Sequence, residues 1–161
     1  MGTILLGVDA LHYAPEATDL ARDLGRATGD KIVVVHVHEF AVGRFGRLQV
    51  DCVEGEAEQL VTDIRSSLVE AGADADAEIR ETHVGRIAKA VLEAADEHDA
   101  RFIVLGSSHS TDLPHLPIGS VALRVLHHSR RPVMVVPRGA AVARDTMQAH
   151  QRQAASVAAT S

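Results

Sequence analysis

The sequence has no tryptophan, one cysteine and few aromatic residues of any kind. Phe, Trp and Tyr together make up 2% of the 161 residues, so the hydrophobic core must be built from aliphatic side chains. The single cysteine, Cys52, cannot form a disulfide within the chain. The sequence therefore predicts an aliphatic core without covalent cross-links.

Positive charge is also scarce, and long apolar segments are missing. Sixteen basic side chains stand against twenty-two acidic ones, for a formal net charge of -6, which argues against the basic surface that nucleic-acid binding requires. No apolar run approaches the roughly 20 residues of a membrane span, and the first residues lack the basic and apolar segments of a signal peptide. We expect a cytoplasmic protein with neither nucleic-acid nor membrane partners.

Short apolar runs alternate with helical patterns through most of the chain. Ala17, Leu20 and Leu24, for example, recur at helical spacing between two continuous apolar runs of the kind that form strands buried on both faces. Such alternation predicts an open doubly wound α/β domain, with a parallel five-stranded sheet covered by helices on both faces. The predicted strands are 4–8, 32–37, 77–84, 102–105 and 133–136, of which 77–84 is charged enough to lie at an edge.

Two segments show no clear hydrophobic period. Residues 39–53 are polar and contain glycine, and we predict a long loop there. Residues 139–161 are rich in Ala, Gln, Ser and Thr, which is typical of a flexible tail. The domain is thus expected to span residues 1–138.

An open parallel sheet binds its ligands beyond the carboxyl ends of its strands. In this sequence that rule brings together residues 8–10, residues 36–38, Gly106 and the pair Gly119 and Ser120. The pair begins a predicted helix, where unpaired backbone N–H groups and the helix dipole favour an anion. The sequence therefore predicts a site for an anionic ligand at this edge.

The segment 104–137, "VLGSSHSTDLPHLPIGSVALRVLHHSRRPVMVVP", resembles the C-terminal signature of the universal stress proteins. That signature reads Gly, two residues, Gly, nine residues, then Gly and Ser or Thr, and Gly106, Gly119 and Ser120 stand at its positions. His109 replaces the middle glycine. The strings "ILLGVD" and "VVVHVHE" are similar to the family's first two strands, so the resemblance covers residues 4–137.

The resemblance implies a strand order of 3-2-1-4-5 and a crevice that holds ATP or AMP, with Mg²⁺ entering only together with ATP. It also implies a homodimer formed through the edge strand Val133–Val136. By position, the resemblance implies Gly7 and Val37 beside the adenine and Asp9 at the nucleoside. It implies Leu105 and Gly106 beside the ribose and the first phosphate. The phosphates would lie at Gly119, Ser120 and Val121, with His109 in the loop before them.

His109 decides how strongly such a ligand is held. If the backbone is left-handed there, the histidine costs roughly 1 to 2 kcal/mol and weakens binding. If the glycine makes room for phosphates, the imidazole either blocks them or, once protonated, pairs with them. We expect a stress-response binding and signalling module with weak affinity for an adenine nucleotide. The alternative is a dimeric interaction protein whose pocket His109 closes.

Simpler roles remain open for the other candidates. Asp9 could cap a turn after the first strand, and Ser120 could cap a helix. The ten histidines show no spacing of a known zinc site, so no metal ligand is predicted. Serines beside His109 do not make a catalytic triad, and we predict no catalytic residue and at most slow ATP hydrolysis.

Overall fold

The computed structural model describes residues 1–53, 55–107 and 118–140, in which strands and helices alternate as the sequence predicts. The elements are β1 (Thr3–Gly7), α1 (Pro15–Thr28), β2 (Lys31–Gly43), β3 (Gly46–Gln49), α2 (Glu56–Glu70), β4 (Ala75–His83), α3 (Ile87–Glu97), β5 (Ala100–Gly106), α4 (Ser120–His128) and β6 (Val133–Val136).

The sheet is built around β1, which lies between β2 and β5 and runs parallel to both. On the far sides, β4 pairs with β2 and β6 pairs with β5, again in parallel. The five predicted strands therefore keep the expected relative order, 3-2-1-4-5, and the α/β fold class is confirmed. The prediction of five strands is wrong, because β3 adds a sixth strand to the described sheet. In this register Gly7 lies opposite Val35 and Leu105, so the carboxyl end of β1 meets both neighbouring strands.

The loop predicted over residues 39–53 is wrong in part, because it contains a β-hairpin. β2 continues to Gly43, and β3 returns antiparallel to it after a turn at Arg44 and Phe45. Gly46, the first residue of β3, has a φ of +113°. Phe40 pairs with Gln49 of β3 and with His83 of β4, so β3 lies on the side of β2 that β1 occupies. The four residues of β3 are all exposed, which explains why no hydrophobic alternation revealed the strand.

The core consists of two layers, one on each face of the sheet. Successive strand residues point to opposite faces, so Leu5 packs on one side while Ile4 and Leu6 pack on the other. The layer around Leu5 contains residues of α3 and α4, and the other layer contains residues of α1 and α2. Among the described residues, the large fully buried hydrophobic side chains are all aliphatic, as expected: Ile4, Leu5, Leu6, Ile32, Leu68, Ile103, Val34, Val35, Val104 and Val125. Ser107 is fully buried with them.

The chain after β6 turns back onto α1. The backbone N–H of Gly139 donates to Glu16 Oε1 at 2.8 Å, and this bond holds the pKa of Glu16 below its ordinary value. The two described residues of the predicted tail therefore both contact the domain, since Ala140 also packs against the core layer that contains α1 and α2. Residues 141–161 lie outside the described part of the chain, and their flexibility stays a prediction. Among the described helices, none has the length and apolar character to cross a membrane.

Candidate functional site

A cleft of about 390 Å³ opens beyond the carboxyl ends of the central strands. Its floor comes from the ends of β1, β2 and β5, and its rim comes from the loop before α1, the first turn of α4 and the segment after β3. Apolar side chains dominate one part of the lining: Val35, Val37, Ile87, Val91, Leu105 and Val121.

Eight of the nine predicted site residues line this cleft. They are Gly7, Asp9, Val37, Leu105, Gly106, Gly119, Ser120 and Val121. The ninth, His109, lies outside the described residues. The topology thus brings together segments that are up to about a hundred residues apart in sequence, while the role of each residue toward a ligand stays a prediction.

The first turn of α4 presents backbone donors to the cleft that have no partner among the described residues. Gly119 is the N-cap residue, with φ -62° and ψ 155°, and it has no side chain with which to cap the helix. Ser120 is already the first helical residue, so the alternative that its hydroxyl serves as the N-cap is wrong. The first N–H groups of a helix lack carbonyl partners within it. In α4 they are available to an anion.

Asp9 follows β1 and shapes the loop before α1. Its Oδ1 accepts a hydrogen bond from the backbone N–H of Leu11 at 2.9 Å, which is the turn-capping role considered for it. Its Oδ2 lies 3.2 Å from His12 Nδ1. The Asp9 side chain is nevertheless 54% exposed, so it can accept further hydrogen bonds from a ligand in the cleft.

The lining is acidic rather than basic. Asp9, Glu39 and Asp51 contribute carboxyl groups, and no lysine or arginine is among the described residues that line the cleft. A polyanion bound here has to be stabilised by backbone donors and the dipole of α4 against these carboxylates. The arrangement favours weak binding of a highly charged ligand.

Sequence reasoning missed the contributions of the hairpin and of Tyr13. Val50 and Asp51 follow β3 and reach the cleft only because β3 folds back beside β2. Tyr13 lines the cleft from the loop before α1, and its hydroxyl lies 3.0 Å from Thr18 Oγ1. Burial raises the pKa of Tyr13, so the phenol stays protonated at neutral pH and can donate.

Four potential metal ligands converge beside the cleft. One ligand atom from each of His36, His38, Asp51 and Cys52 can be chosen so that all lie within 4.8 Å of one another. Burial alone would lower the pKa of His38, but hydrogen bonds to Asp51 and Glu58 outweigh it and raise the pKa. Burial, followed by the hydrogen bond to Asp51, raises the pKa of Cys52 to about 11. The free thiol is therefore no nucleophile at neutral pH.

Several of the ten histidines lie at or near the cleft. His12 and His36 line it, and His38 lies beside His36 with their ring centroids 4.9 Å apart. His109 and His115 lie outside the described residues. Of the described histidines, His36 and His38 belong to the cluster of potential ligands.

The sequence profile of the universal stress protein family matches residues 1–137. The chain belongs to this family, which is the class that its strand order and its cleft indicate. A search of the curated proteins found no match.

Solved structures of universal stress proteins share the fold. One from Archaeoglobus fulgidus superposes with a TM-score of 0.65 and 23% identity, over 84% of this chain and 98% of its own. The Archaeoglobus fulgidus protein in complex with dAMP gives 0.61 and 22%, over 84% and 98%. A universal stress protein in complex with cAMP gives 0.60 and 21%, over 84% and 96%. These similarities establish the fold of the chain.

Proposed function

We propose that the chain is a stress-response binding module whose cleft accepts an adenine nucleotide, AMP or ATP, with low affinity. The observation that carries the proposal is the uncapped first turn of α4, which opens onto the same cleft as the apolar patch around Val37 and Leu105. The cleft volume of about 390 Å³ is within the range of small-molecule sites, roughly 300 to 1,000 Å³.

The cleft offers partners for each part of a nucleotide. Phosphate oxygens would accept hydrogen bonds from the N–H groups at the start of α4, beginning at Ser120. The base would lie against the aliphatic patch of the cleft lining. Asp9, which lines the same cleft, would accept hydrogen bonds from ribose hydroxyls. Complexes of related folds with dAMP and cAMP support this choice of ligand.

The carboxylates of the lining explain why we propose weak binding. Asp9, Glu39 and Asp51 repel a triphosphate more strongly than a monophosphate, because the triphosphate carries more negative charge. Mg²⁺ that arrives with ATP would reduce this repulsion. We therefore expect ATP to bind better in the presence of Mg²⁺, and AMP to be insensitive to it.

Isothermal titration calorimetry of the full chain with AMP, and with ATP in the presence and absence of Mg²⁺, tests the proposal. Ser120→Asp places a carboxylate at the start of α4, where it competes with phosphate, and we expect a loss of affinity on the order of tenfold or more. Ser66→Asp adds the same charge at an exposed position on α2 and serves as the control.

The stability of the Ser120→Asp variant should change in the opposite direction. A negative charge in the first turn of a helix stabilises it by about 0.3 to 1 kcal/mol, so weaker binding cannot be attributed to unfolding. Wild-type protein that binds neither nucleotide at millimolar concentration would contradict the proposal and favour the interaction-protein alternative. Equal affinities for wild-type and Ser120→Asp protein would exclude α4 as the phosphate site.

A further inference from the structure

The cluster beside the cleft joins two segments that are distant in sequence. His36 and His38 lie on the same side of β2, and Asp51 and Cys52 follow β3. Both histidines are almost fully buried, at 3% and 4% exposure, and the Asp51 side chain is 12% exposed. Four side chains with metal-binding atoms are thus held together in a nearly solvent-free space.

The outer nitrogen of each histidine is committed to an acceptor. His36 Nδ1 lies 3.0 Å from the carbonyl oxygen of Val8, which can only accept, so this nitrogen carries the ring proton. His38 Nε2 lies 3.3 Å from Glu58 Oε1, which can accept the proton of that ring in the same way. With the ring protons on these outer nitrogens, the inner nitrogens, His36 Nε2 and His38 Nδ1, present lone pairs to the cluster.

These lone pairs face the carboxylate of Asp51, which has no proton to donate to them. Asp51 Oδ2 lies 3.2 Å from His36 Nε2 and 2.7 Å from His38 Nδ1. A cation between the inner nitrogens and the carboxylate reconciles these contacts, whether it is an additional ring proton or a metal ion. The Gln49 amide nitrogen, 3.2 Å from His38 Nδ1, would give up this contact, because the nitrogen has a single lone pair.

Two further observations favour a metal ion over additional protons. Asp51 Oδ1 is buried and has no hydrogen-bond partner among the described residues, although a buried carboxylate oxygen normally has one. Cys52 Sγ lies 3.5 Å from Asp51 Oδ2 and 3.8 Å from His38 Nδ1. Ligand atoms of a tetrahedral zinc site with bonds of 2.0 to 2.3 Å are roughly 3.3 to 3.8 Å apart. Three separations in the cluster, 3.2, 3.5 and 3.8 Å, are already close to these values, and the 2.7 Å between Asp51 Oδ2 and His38 Nδ1 would have to lengthen.

We propose that His36 Nε2, His38 Nδ1, an Asp51 carboxylate oxygen and Cys52 Sγ bind one Zn²⁺ ion. Two imidazoles, a carboxylate and a thiolate form a ligand set that suits zinc, whereas Mg²⁺ and Ca²⁺ prefer oxygen ligands alone. The thiol proton leaves to solvent as the bond between sulfur and zinc forms. Val8 and Glu58 would then orient the two rings from outside the ligand set.

The expectation that the chain has no metal ligand rested on spacing along the sequence. His36 and His38 are separated by a single residue, and Asp51 and Cys52 become their neighbours only through the β2–β3 hairpin. With four protein ligands the site is closed, as structural zinc sites are. The ion would fasten the segment after β3 to β2, independently of whether a nucleotide binds in the cleft.

Cobalt serves as the probe. Full-length protein freed of metal with a chelator is titrated with Co²⁺, and we expect one equivalent to give the visible spectrum of tetrahedral Co²⁺ with a near-ultraviolet thiolate-to-metal band. One equivalent of Zn²⁺ should then abolish both. Cys52→Ser should lose the thiolate band, and Asp51→Asn should weaken binding.

Glu58→Gln tests the orienting role of Glu58. Loss of an outer partner of a metal-bound histidine reduces affinity by about 10- to 100-fold, so we expect a decrease of this size in a Zn²⁺ competition assay. Glu70→Gln makes the same change at the other end of α2, and His127→Gln removes an exposed histidine on α4. Both controls should bind as the wild type does.

The proposal is overturned if the wild type binds no stoichiometric metal, or if the Co²⁺ spectrum is octahedral. It is also overturned if Cys52→Ser and Asp51→Asn bind as the wild type does, since the metal would then lie on other histidines. Because replacing His36 or His38 could unfold the protein, the test relies on the less buried Asp51, Cys52 and Glu58, with the fold of each variant checked by circular dichroism. A failure of nucleotide binding in calorimetry leaves the cobalt result unaffected.

Discussion

Gly106 stands against Ala14 so closely that a Cβ atom at position 106 would lie 2.5 Å from the Cβ of Ala14. The end of β5 and the loop before α1 can approach each other only because residue 106 has no side chain. Both residues line the cleft, so this contact sets the separation of two of its walls. Gly106 is therefore needed for space rather than for an unusual backbone angle.

The first prediction follows from this contact. Gly106→Ala should lower the free energy of unfolding by about 1 to 3 kcal/mol, the usual cost of overpacking, because Ala14 belongs to backbone that cannot move aside freely. Gly43→Ala is the control, since a Cβ there would meet its nearest atom, the carbonyl oxygen of Gly46, at an ordinary 4.0 Å. Urea denaturation measures both variants. Equal stabilities would show that the loop before α1 yields easily.

The second prediction concerns the opposite end of the sheet, where Asp30 accepts hydrogen bonds from Gly2 N at 2.7 Å and from Arg101 Nη1 at 2.9 Å. Burial alone would raise the pKa of Asp30, but these bonds outweigh it and lower the pKa. Because its pKa is lowered by folding, ionised Asp30 stabilises the fold at pH values above the ordinary pKa of aspartate, about 4. This contribution is lost as the pH falls through the pKa of the folded state.

Asp30→Asn should therefore lower the free energy of unfolding by about 1 to 2 kcal/mol at pH 7. This is the size expected for hydrogen bonds to a charged group, reduced by solvent screening at the half-exposed Arg101. The difference from the wild type should begin to shrink below about pH 4 and disappear as the pH falls through the lowered pKa of the folded state, below which Asp30 is neutral in both states. Denaturant melts from pH 7 to pH 3 measure it. Asp63→Asn on α2 is an exposed control, and a difference that stayed constant with pH would refute the ionic role.

The third prediction concerns His109, which lies outside the described residues and stands where the family signature has glycine. If a left-handed backbone is what the glycine provides, His109→Gly should tighten ATP binding by about tenfold or more, which calorimetry measures. Unchanged or weaker binding would identify the imidazole as a ligand contact. In that case the affinity of the wild type should fall as pH rises through roughly 6 to 7.

The fourth prediction is the homodimer proposed through β6. Ile103 N and Ser107 N donate to the carbonyls of Pro132 and Val136, so by alternation the backbone of Val135 points to the open edge. Val135→Pro would remove an outward donor without breaking a bond to β5, and we expect a monomer by size-exclusion chromatography with light scattering. Val135→Thr keeps the N–H and should remain dimeric. A monomeric wild type, or a dimeric proline variant, would exclude this interface.

Much of the fold could be predicted because buried strands have continuous apolar sequences. The runs around Leu5, Val34 and Val104 are buried on both faces, and their order along the chain fixes the parallel sheet once crossovers are right-handed. Topology also explains five of the eight described site residues, since Asp9, Val37, Gly106, Gly119 and Ser120 belong to the segments that a parallel sheet brings to one edge. The other three, Gly7, Leu105 and Val121, were implied only by the family resemblance.

The hairpin and the cluster beside it could not be predicted in this way. β3 is exposed throughout, so its sequence contains no burial pattern. The proximity of Asp51 to His36 depends on the pairing of Phe40 with Gln49, which a turn determines rather than hydrophobicity. Tyr13 was not predicted because a single aromatic residue in a loop is not part of any hydrophobic periodicity.

The number of residues in the β2–β3 hairpin determines which side chains form one wall of the cleft. Phe40 pairs with a residue of β3 on one side and with a residue of β4 on the other. The number of residues between Phe40 and Gln49 therefore sets how far the returning chain lies from His36 and His38. A chain with one residue more or fewer in the turn near Gly46 would present the opposite side chains to the cleft. Among proteins with this fold, a change in turn length alone, with the rest of the sheet unchanged, would thus change which side chains line that wall of the cleft.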